Sequence, residues 1–463
     1  MFSRRNFLTG LASSSAIVGL SACAVNSSRN PSQLTEAALA VEPIIDPKTL
    51  EKPNLTIGYV PVNDCAPFAI AWEKGLFRKY GLNVKLSRES SWANSRDGLI
   101  FGRLDASPVV SGAITNARTG AEGARVAPLC GAMTIHRHGN AMTMNRAMWD
   151  FGLRPWQEYK GDLQRFGKDL RAYFNQISVH NRVWAVVLSS SIYEYFARYL
   201  ISAIGINLVE ELRVLIIPPP QMVNNMRIGS TQAYMVAEPW NTRAITGNEG
   251  IGFTFVQGRQ IWNGHPDRIL AVMESFIEEN PKTYRSLVKA MIEACQYCSK
   301  PENRPEVAKL IAQRSFTGVP PKLTEPGIVG NYNYGGFDDQ KRMVDSIETT
   351  LFFDMPPDVA KAENDHSTFL WQSESLWLMT QAARWQQIPE IPPDAEAIAK
   401  QAWRTDLYRE IAGEMAIACP TEDYYVTPGK AFIDNKPFDP SDLVGYVNSF
   451  EIRANTTKSF YFS

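Results

Sequence analysis

Apolar and polar positions near the start of the regular part of the chain follow two rhythms. Alternating or short apolar runs predict strands over residues 55–62, 83–87 and 105–110. Apolar residues at helical spacing predict helices over residues 66–82 and 93–104. This βαβαβ order is typical of a parallel sheet with helices on its faces. Ligands of such sheets bind beyond the carboxyl ends of the strands, where the helices begin.

A second α/β pattern follows in the middle of the chain. It predicts strands within residues 181–191, 212–220 and 231–241. A helix over residues 192–205 and a short helix over residues 221–229 separate these strands. The second pattern has the same order of elements as the first, so we expect a second α/β lobe.

The remainder of the chain predicts a strand from residue 268, a long helix starting near Glu274 and mostly helical structure beyond. The simplest arrangement has two crossings between two α/β lobes. Lobe one then holds residues 54–145 and 268–463, and lobe two holds residues 146–267. A cleft between two such lobes suits a solute, because pockets are frequent between domains and hinge closure buries a ligand.

The first 23 residues have the pattern of an export signal. Arg4 and Arg5 precede an apolar stretch, residues 8–20, that is too short to span a bilayer core of ~30 Å. This pattern predicts a signal of the twin-arginine type. The signal ends in LSAC, which is typical of a bacterial lipobox and predicts lipidation of Cys23; the alternative is a plain signal peptide with an accidental cysteine. Residues 24–53 are polar and aperiodic, which predicts a flexible tether.

Composition and motifs narrow the class of protein. The net charge is -1 and no run of five like charges occurs, so nucleic acid is not a predicted partner. The chain contains no GxSxG, HExxH, P-loop or GxGxxG motif, so the sequence predicts no enzyme.

Cysteines and histidines offer two weaker candidates for chemistry. Cys295 and Cys298 form a CxxC inside a helical pattern, where burial on a helix face is expected and metal or redox use is the alternative. The other cysteines of the mature chain are too scattered for a disulfide framework. His136 and His138 point the same way if they lie on a strand, which makes them a zinc candidate without a third ligand at a usual spacing.

Five stretches of the chain carry motifs of a known family. They are SSWANSRDGL (90–99), HGNAMTMNRAMWDFG (138–152), PPPQMVNNMRIGSTQAYMVAEPWN (218–241), LWLMTQAARW (376–385) and FDPSDLVGYVNS (438–449). In them the chain resembles the nitrate- and bicarbonate-binding lipoproteins of bacterial ABC importers, over nearly all of residues 55–453. The resemblance implies a type II periplasmic-binding-protein fold with a ligand cleft between its lobes. It also implies delivery of a small anion to a membrane permease.

The resemblance implies three ligand-binding positions near helix starts and strand ends, and a fourth candidate follows from the residues beside them. Trp92 is implied to contact the anion through its indole N–H; the alternative is a core residue of lobe one. Asn140 stands where the family has a glutamine, so its amide donor sits on a shorter arm. Tyr193 stands where the family has a histidine, so one neutral hydroxyl replaces a group that can become cationic. Ser191 and the N–H groups at the start of its helix also suit an anion.

Further matching positions depart from the family. Ala237 replaces a glycine and narrows the site by one methyl group. A family lysine before the His-Pro pair corresponds to Asn263, which loses the positive charge, or to Arg259, which can clamp an oxyanion with two donors. Glu238 is the matching carboxylate nearest to the calcium that bicarbonate-binding members are thought to use. One carboxylate is a poor basis for a site of about 6–8 oxygens. No metal or cofactor is therefore predicted, except calcium if bicarbonate is the ligand.

The resemblance predicts a solute-binding lipoprotein of an ABC importer. It is expected to be exported, anchored by lipid to the periplasmic face of the bacterial plasma membrane, and monomeric. It captures nitrate, nitrite or bicarbonate by cleft closure, with permease and ATPase subunits as partners. One alternative is a sensor or regulatory paralogue with an altered cleft. Another is a binder of a small organic anion such as a sulfonate, or of cyanate.

Overall fold

The computed structural model is an α/β structure whose described strands form a five-stranded, a four-stranded and two two-stranded sheets, which confirms the predicted fold class. The residues that the structure describes are 35–189, 191–246, 250–353 and 368–454. In chain order the strands are β1 (Asn54–Tyr59), β2 (Asn83–Arg88), β3 (Ser107–Val110), β4 (Leu129–His138), β5 (Asn140–Asn145), β6 (Val183–Val186), β7 (Arg213–Ile216), β8 (Ala233–Ala237), β9 (Gly252–Gln257), β10 (Pro266–Met273), β11 (Asn331–Asn333), β12 (Met343–Asp345) and β13 (Leu351–Phe352). The longer helices are Ala66–Glu73, Trp92–Ile100, Gly112–Thr119, Leu163–Phe174, Ile192–Ala203, Pro281–Ser299, Arg304–Ile311, Gln372–Arg384, Ala395–Ala402 and Thr405–Glu414. Shorter helices are Glu36–Leu39, Leu76–Lys79, Arg146–Phe151, Trp156–Tyr159, Leu208–Glu211, Met222–Arg227, Trp240–Ile245, Gly258–Ile261, Glu274–Glu279, Pro321–Thr324, Pro326–Val329 and Leu443–Asn448.

The first lobe is built on a two-stranded sheet, β2-β1, that one bridge connects to a four-stranded sheet in the order β3-β10-β4-β13. Strands β1 and β2 are parallel. A parallel bridge between Ile57 and Ala106 joins β1 to the segment that enters β3. Strand β10 runs antiparallel between β3 and β4, and β13 pairs antiparallel with β4. The lobe therefore combines the predicted parallel part with antiparallel strands that come from later in the chain.

The second lobe is built on a five-stranded sheet in the order β7-β6-β8-β5-β9. Strands β6, β7 and β8 are mutually parallel, as the alternation of strands and helices predicts. Strand β5 runs antiparallel between β8 and β9. Each sheet thus contains a strand that has just crossed from the other lobe, β5 in the second and β10 in the first.

The chain crosses between the lobes at a tight bend and returns through a short helix. His138 ends β4 and Asn140 starts β5, and His138 and Gly139 both have positive φ, 62° and 77°. A Cβ at Gly139 would lie 2.2 Å from Cγ of Leu351, so only glycine fits there. The predicted lobe one extended to residue 145, but β5 pairs in the second sheet, because the chain turns from β4 into β5 at Gly139 without an intervening loop that would mark a boundary. The return crossing ends at Pro266, close to the predicted boundary.

Two predicted helices are interrupted in the structure. The helix expected over residues 66–82 breaks at Gly75, whose φ is 68°. The long helix expected from Glu274 breaks before Pro281, because proline cannot donate the hydrogen bond that would continue the preceding turn. Cys295 and Cys298 lie buried in the helix that follows, on a helix face as predicted.

The N-terminal predictions are only partly within the described residues. The export signal, the lipidation position Cys23 and tether residues up to 34 lie outside them. Residues 35–53 differ from the predicted flexible tether, because they pack on the first lobe. There Ile44 N donates to the carbonyl of Lys79 at 2.8 Å, and Leu50 is buried. Within the described part of the chain, no helix is long and apolar enough to cross a membrane.

Candidate ligand-binding site

Two capped helices, one from each lobe, begin at the junction between the lobes. Ser91 Oγ accepts a hydrogen bond from Asn94 N at 3.1 Å and starts the helix Trp92–Ile100. Ser191 Oγ accepts from Glu194 N at 3.3 Å and starts the helix Ile192–Ala203. Both helix starts follow strand ends. The caps therefore place Trp92 and Tyr193 in first turns that meet at the junction.

A buried arginine of β10 lies between these two aromatic side chains. The guanidinium carbon of Arg268 lies 4.0 Å from the ring centroid of Trp92 and 5.1 Å from that of Tyr193. Its Nη2 donates to the hydroxyl of Tyr193 at 2.7 Å. Trp92 is 1% exposed, and its Nε1 has no hydrogen-bond partner among the described residues. Trp92 is thus both a core residue and the carrier of an available N–H donor beside a cation.

Two carboxylates pair with the same arginine. Arg268 Nη1 lies 2.6 Å from Oδ1 of Asp267, and Arg268 Nε lies 2.6 Å from Oδ2 of Asp64. All three side chains are buried. Burial acts to lower the pKa of Arg268, but Asp267, Tyr193 and Asp64 together raise it above the ordinary arginine value, so the side chain stays cationic. One buried cation therefore faces two carboxylates.

The carboxylate of Asp267 collects hydrogen bonds from both lobes. Its Oδ1 accepts from Arg268, while its Oδ2 accepts from the Tyr193 hydroxyl at 2.9 Å and from Asn140 Nδ2 at 3.1 Å. Burial raises the pKa of Tyr193, which keeps its phenol protonated and able to donate. Arg268 stands on the first sheet, whereas Asn140 starts β5 of the second. Donors from the two lobes therefore converge on one planar carboxylate.

His265 fixes the orientation of the Asn140 amide. The Nδ1 of His265 lies 2.8 Å from the carbonyl of Trp262 and must donate to it, so its Nε2 accepts from Asn140 Nδ2, also at 2.8 Å. Burial lowers the pKa of His265 to about 4, so the ring is neutral near pH 7. Both amide hydrogens of Asn140 are used, and its Oδ1 lies against Gly258. A Cβ at Gly258 would lie 2.1 Å from that oxygen, so this position requires glycine.

The other predicted ligand positions divide into two groups. Ala237 is buried and faces Asn140 directly in the ladder between β8 and β5. Ser191 donates its hydroxyl to the carbonyl of Leu188 in addition to capping its helix. Of the two candidates for the family lysine, Arg259 donates from Nε to Gln257 Oε1, and Asn263 donates from its main-chain N–H to the carbonyl of Ala431.

The carboxylate of Glu238 bonds to β11 and to the helix Trp240–Ile245. Its Oε1 accepts from the hydroxyl of Tyr332 at 2.8 Å, and its Oε2 accepts from Thr242 N at 3.0 Å. Burial raises its pKa. Among the described residues, no group of three or more histidine, cysteine or acidic side chains is placed to hold a metal ion, His136 and His138 included. The described residues therefore offer no set of ligands for the calcium ion considered above.

Sequence reasoning missed the charged residues of the site. Asp64, His265, Asp267 and Arg268 were not among the predicted positions. Two signals could have found them. Asp64 follows the first strand at its carboxyl end, and the HPDR motif places charged residues at the start of an otherwise apolar strand. Charged residues within an apolar strand are buried and paired, which marks a site or a structural network.

Comparison with known proteins gives the family. Residues 48–312, more than half of the chain, match the sequence profile described as the NMT1-like family. The chain belongs to the NMT1-like family. It is 31% identical over 404 residues to the bicarbonate transport ATP-binding protein CmpC of Synechococcus elongatus, an alignment that covers 87% of this chain. This NMT1-like chain spans only 56% of the length of that relative and of similar ATP-binding relatives.

Two further comparisons align over most of both chains. The nitrate/nitrite binding protein NrtA of Synechococcus elongatus is 27% identical over 466 residues, which cover 98% of this chain and 99% of that protein. The crystal structure of the periplasmic nitrate-binding protein NrtA from Synechocystis PCC 6803 matches with a TM-score of 0.76 at 23% identity. That match covers 89% of this chain and 100% of the other. The NMT1-like chain therefore has the predicted two-lobed fold of a periplasmic binding protein.

Proposed function

We propose that this NMT1-like chain is the solute-binding component of an ABC importer and captures a small oxyanion of the nitrate, nitrite or bicarbonate class between its lobes. The observation that carries the proposal is the convergence of Arg268, Tyr193 and Asn140 on one planar carboxylate, beside the available N–H of Trp92. Nitrate and bicarbonate present the same planar oxygen acceptors as a carboxylate. Donors that hold one can hold the other.

The physical setting suits a small anion. The donors are buried, so hydrogen bonds to a charged acceptor are stronger there than in water. Arg268 supplies a delocalised cation, and the faces of Trp92 and Tyr193 exclude water from it. Because Asn140 and Tyr193 belong to the second lobe and Arg268 to the first, a bound anion favours the closed arrangement.

The relatives suggest the cellular setting. Their names include a nitrate/nitrite binding protein and an ATP-binding subunit for bicarbonate transport, and one solved relative is a periplasmic protein. We propose export to the periplasmic face of the bacterial plasma membrane, a lipid anchor at Cys23, and permease and ATPase subunits as partners. The chain is proposed to bind and release its solute as a monomer, without chemical turnover. Calcium enters only if bicarbonate is the solute.

Isothermal titration calorimetry on the purified protein tests this function. The panel is nitrate, nitrite, bicarbonate with and without calcium, sulfate, cyanate and taurine. Saturable heat with one oxyanion, lost in Trp92→Ala, is the expected result. Binding of taurine or cyanate alone would move the proposal to a small organic anion or cyanate. No heat with any of the panel, from a folded sample, would contradict an oxyanion receptor.

A sensor or regulatory role is the second candidate. Two observations favour it: the identity is higher to part of an ATP-binding protein than to the binding protein NrtA, and an acidic side chain holds the donors of the cleft. Deleting the gene separates the two roles. Loss of nitrate or bicarbonate uptake supports the importer component, whereas unchanged uptake that no longer responds to the solute supports the sensor.

A further inference from the structure

We propose that Asp267 is a built-in substitute for the solute: its carboxylate holds the oxyanion donors of the cleft until an anion displaces it. This inference rests on the proposed function, since it concerns the same donors. It makes Asp267 the residue that sets how tightly the cleft takes an anion.

The hydrogen bonds of Asp267 have the arrangement expected for a bound oxyanion. Three donors reach its two oxygens at 2.6, 3.1 and 2.9 Å, from Arg268, Asn140 and Tyr193 respectively. The side chain is 0% exposed, so these bonds are made without competing water. Two of the donors come from the second lobe. Asp267 therefore joins the lobes in the way that a solute is expected to.

Asp267 is the second of two carboxylates that pair with one arginine. Asp64 already pairs with Arg268 at Nε, on the opposite side of the guanidinium from Asp267. His265 is neutral near pH 7 and does not offset a second carboxylate. His136 Nε2 lies 3.6 Å from Oδ2 of Asp64, the carboxylate on the Nε side of Arg268. Without the Asp267 charge, a balanced pair and three hydrogen-bond donors would remain, which is a site for one anion.

A tethered carboxylate competes with any free anion. Because Asp267 is attached beside its donors, its effective concentration is far above that of a solute in solution. Its negative charge also repels an approaching anion. The wild-type cleft is therefore expected to bind oxyanions weakly, and replacement of Asp267 by a small neutral residue to tighten binding.

The test is a comparison of wild-type protein with Asp267→Ala by isothermal titration calorimetry, using formate and nitrate as probes. Formate reproduces the carboxylate that the substitution removes. We expect both probes to bind Asp267→Ala at least about tenfold more tightly than wild type, since each gains charge-assisted hydrogen bonds. The melting temperature of the variant is expected to rise with formate more than that of wild type. Asp267→Asn, which keeps the side-chain shape, provides a second variant if Asp267→Ala does not fold.

Two further variants separate the substitute role from a general charge effect. Asp64→Asn removes the same charge beside the same arginine but leaves Asp267 on Tyr193 and Asn140, so its gain is expected to be smaller. Asp150→Asn makes the same change on the surface and is expected to give no gain. Equal gains in Asp64→Asn and Asp267→Asn, or no gain in any Asp267 variant, would overturn the proposal.

The same titrations keep this inference distinct from the proposed function. If wild type ignores every oxyanion while Asp267→Ala binds formate and nitrate, Asp267 occupies the oxyanion donors as proposed, but displacement by an anion and the importer function both fail. If wild type already binds nitrate as tightly as Asp267→Ala, the function stands and the substitute role fails.

Discussion

Two buried arginines on neighbouring strands of the first sheet are held in different ways. Arg137 of β4 lies 2.6 Å from Glu374, and it also donates to the carbonyls of Gly264 and Phe369. The hydroxyl of Tyr425 donates to the same glutamate. Both terminal nitrogens of Arg137 thus donate to one carboxylate, and each also donates to a main-chain carbonyl. This is the arrangement expected of a buried pair that serves only stability.

Arg268 of β10 faces two carboxylates, a phenol and the face of an indole. Close by, the indole N–H of Trp92 has no hydrogen-bond partner in the described structure, and neither has Oδ1 of Asp64. Surplus charge and unused polar groups cost stability when they are buried. They persist where a ligand uses them, which is why perturbed buried groups cluster at functional sites. The comparison teaches that charge balance, more than burial, separates the proposed binding centre around Arg268 from the ion pair of Arg137.

The largest effect is expected from breaking the buried ion pair between Arg137 and Glu374. Glu374→Ala leaves Arg137 buried without its carboxylate and is expected to lower the free energy of unfolding by about 3–5 kcal/mol. Chemical denaturation measures this loss, and Glu390→Ala, at an exposed position, serves as the control. A loss as small as that of the control would show that the carbonyls alone satisfy Arg137.

The second effect is a pH dependence of stability that arises at His265, beside the proposed binding centre. The pKa of His265 falls from 6.5 to about 4 on folding because the ring is buried, so the unfolded chain binds more protons than the folded one between these values. Above pH 6.5, His265 therefore does not change the free energy of unfolding. As the pH falls from 6.5 toward 4, it lowers the free energy of unfolding by about 3 kcal/mol in total.

Denaturation curves of wild type and His265→Gln from about pH 7 to about pH 4.5 check this sign. The variant is expected to lose less stability than wild type over that range. His180→Gln, at an exposed position, is expected to follow wild type. Parallel curves for wild type and His265→Gln would mean that His265 accepts a proton in the folded protein.

Sequence reasoning could predict the two lobes and the uncharged residues around Arg268, but not the charged partners of that arginine. Hydrophobic periodicity predicted two α/β lobes, and the family resemblance picked out Trp92, Asn140 and Tyr193, three residues that the structure brings to Arg268 or Asp267. These predictions depend on local spacing or on motifs that are contiguous in the chain. The helix caps at Ser91 and Ser191 are local for the same reason.

The charged partners could not be found in this way. Asp64 and Arg268 are far apart in the chain, and only the crossing of β10 beside β3 brings them together. Both faces of β10 are buried, so its pattern does not show which side a charged residue takes. Choosing Asn263 or Arg259 as the charge-bearing position relied on loose alignment near the return crossing, where the chain changes lobe.

A smaller effect is expected from removal of the Tyr193 hydroxyl, through which the second lobe bonds to Asp267 and Arg268 of the first. Tyr193→Phe leaves Arg268 Nη2 and Asp267 Oδ2 each short of one hydrogen bond, so the free energy of unfolding is expected to fall by about 1–3 kcal/mol. Chemical denaturation measures it against Tyr424→Phe, a less buried tyrosine outside the site. Equal stability of Tyr193→Phe and wild type would show that the bridge between the lobes contributes nothing without a solute.

The smallest change removes only an N–H group. Trp92→Phe keeps an aromatic face over Arg268 but deletes the indole donor, so the affinity for the oxyanion is expected to fall about tenfold. Stability is expected to change by less than about 1 kcal/mol, because the lost packing is offset by removal of a buried donor without a partner. Trp403 is the matched control, since it is also buried with an Nε1 that lacks a partner in the described structure. Trp403→Phe is expected to leave the affinity unchanged. If the two variants weaken anion binding equally, the N–H of Trp92 does not reach the solute, and the donors of Arg268, Tyr193 and Asn140 must hold the anion alone.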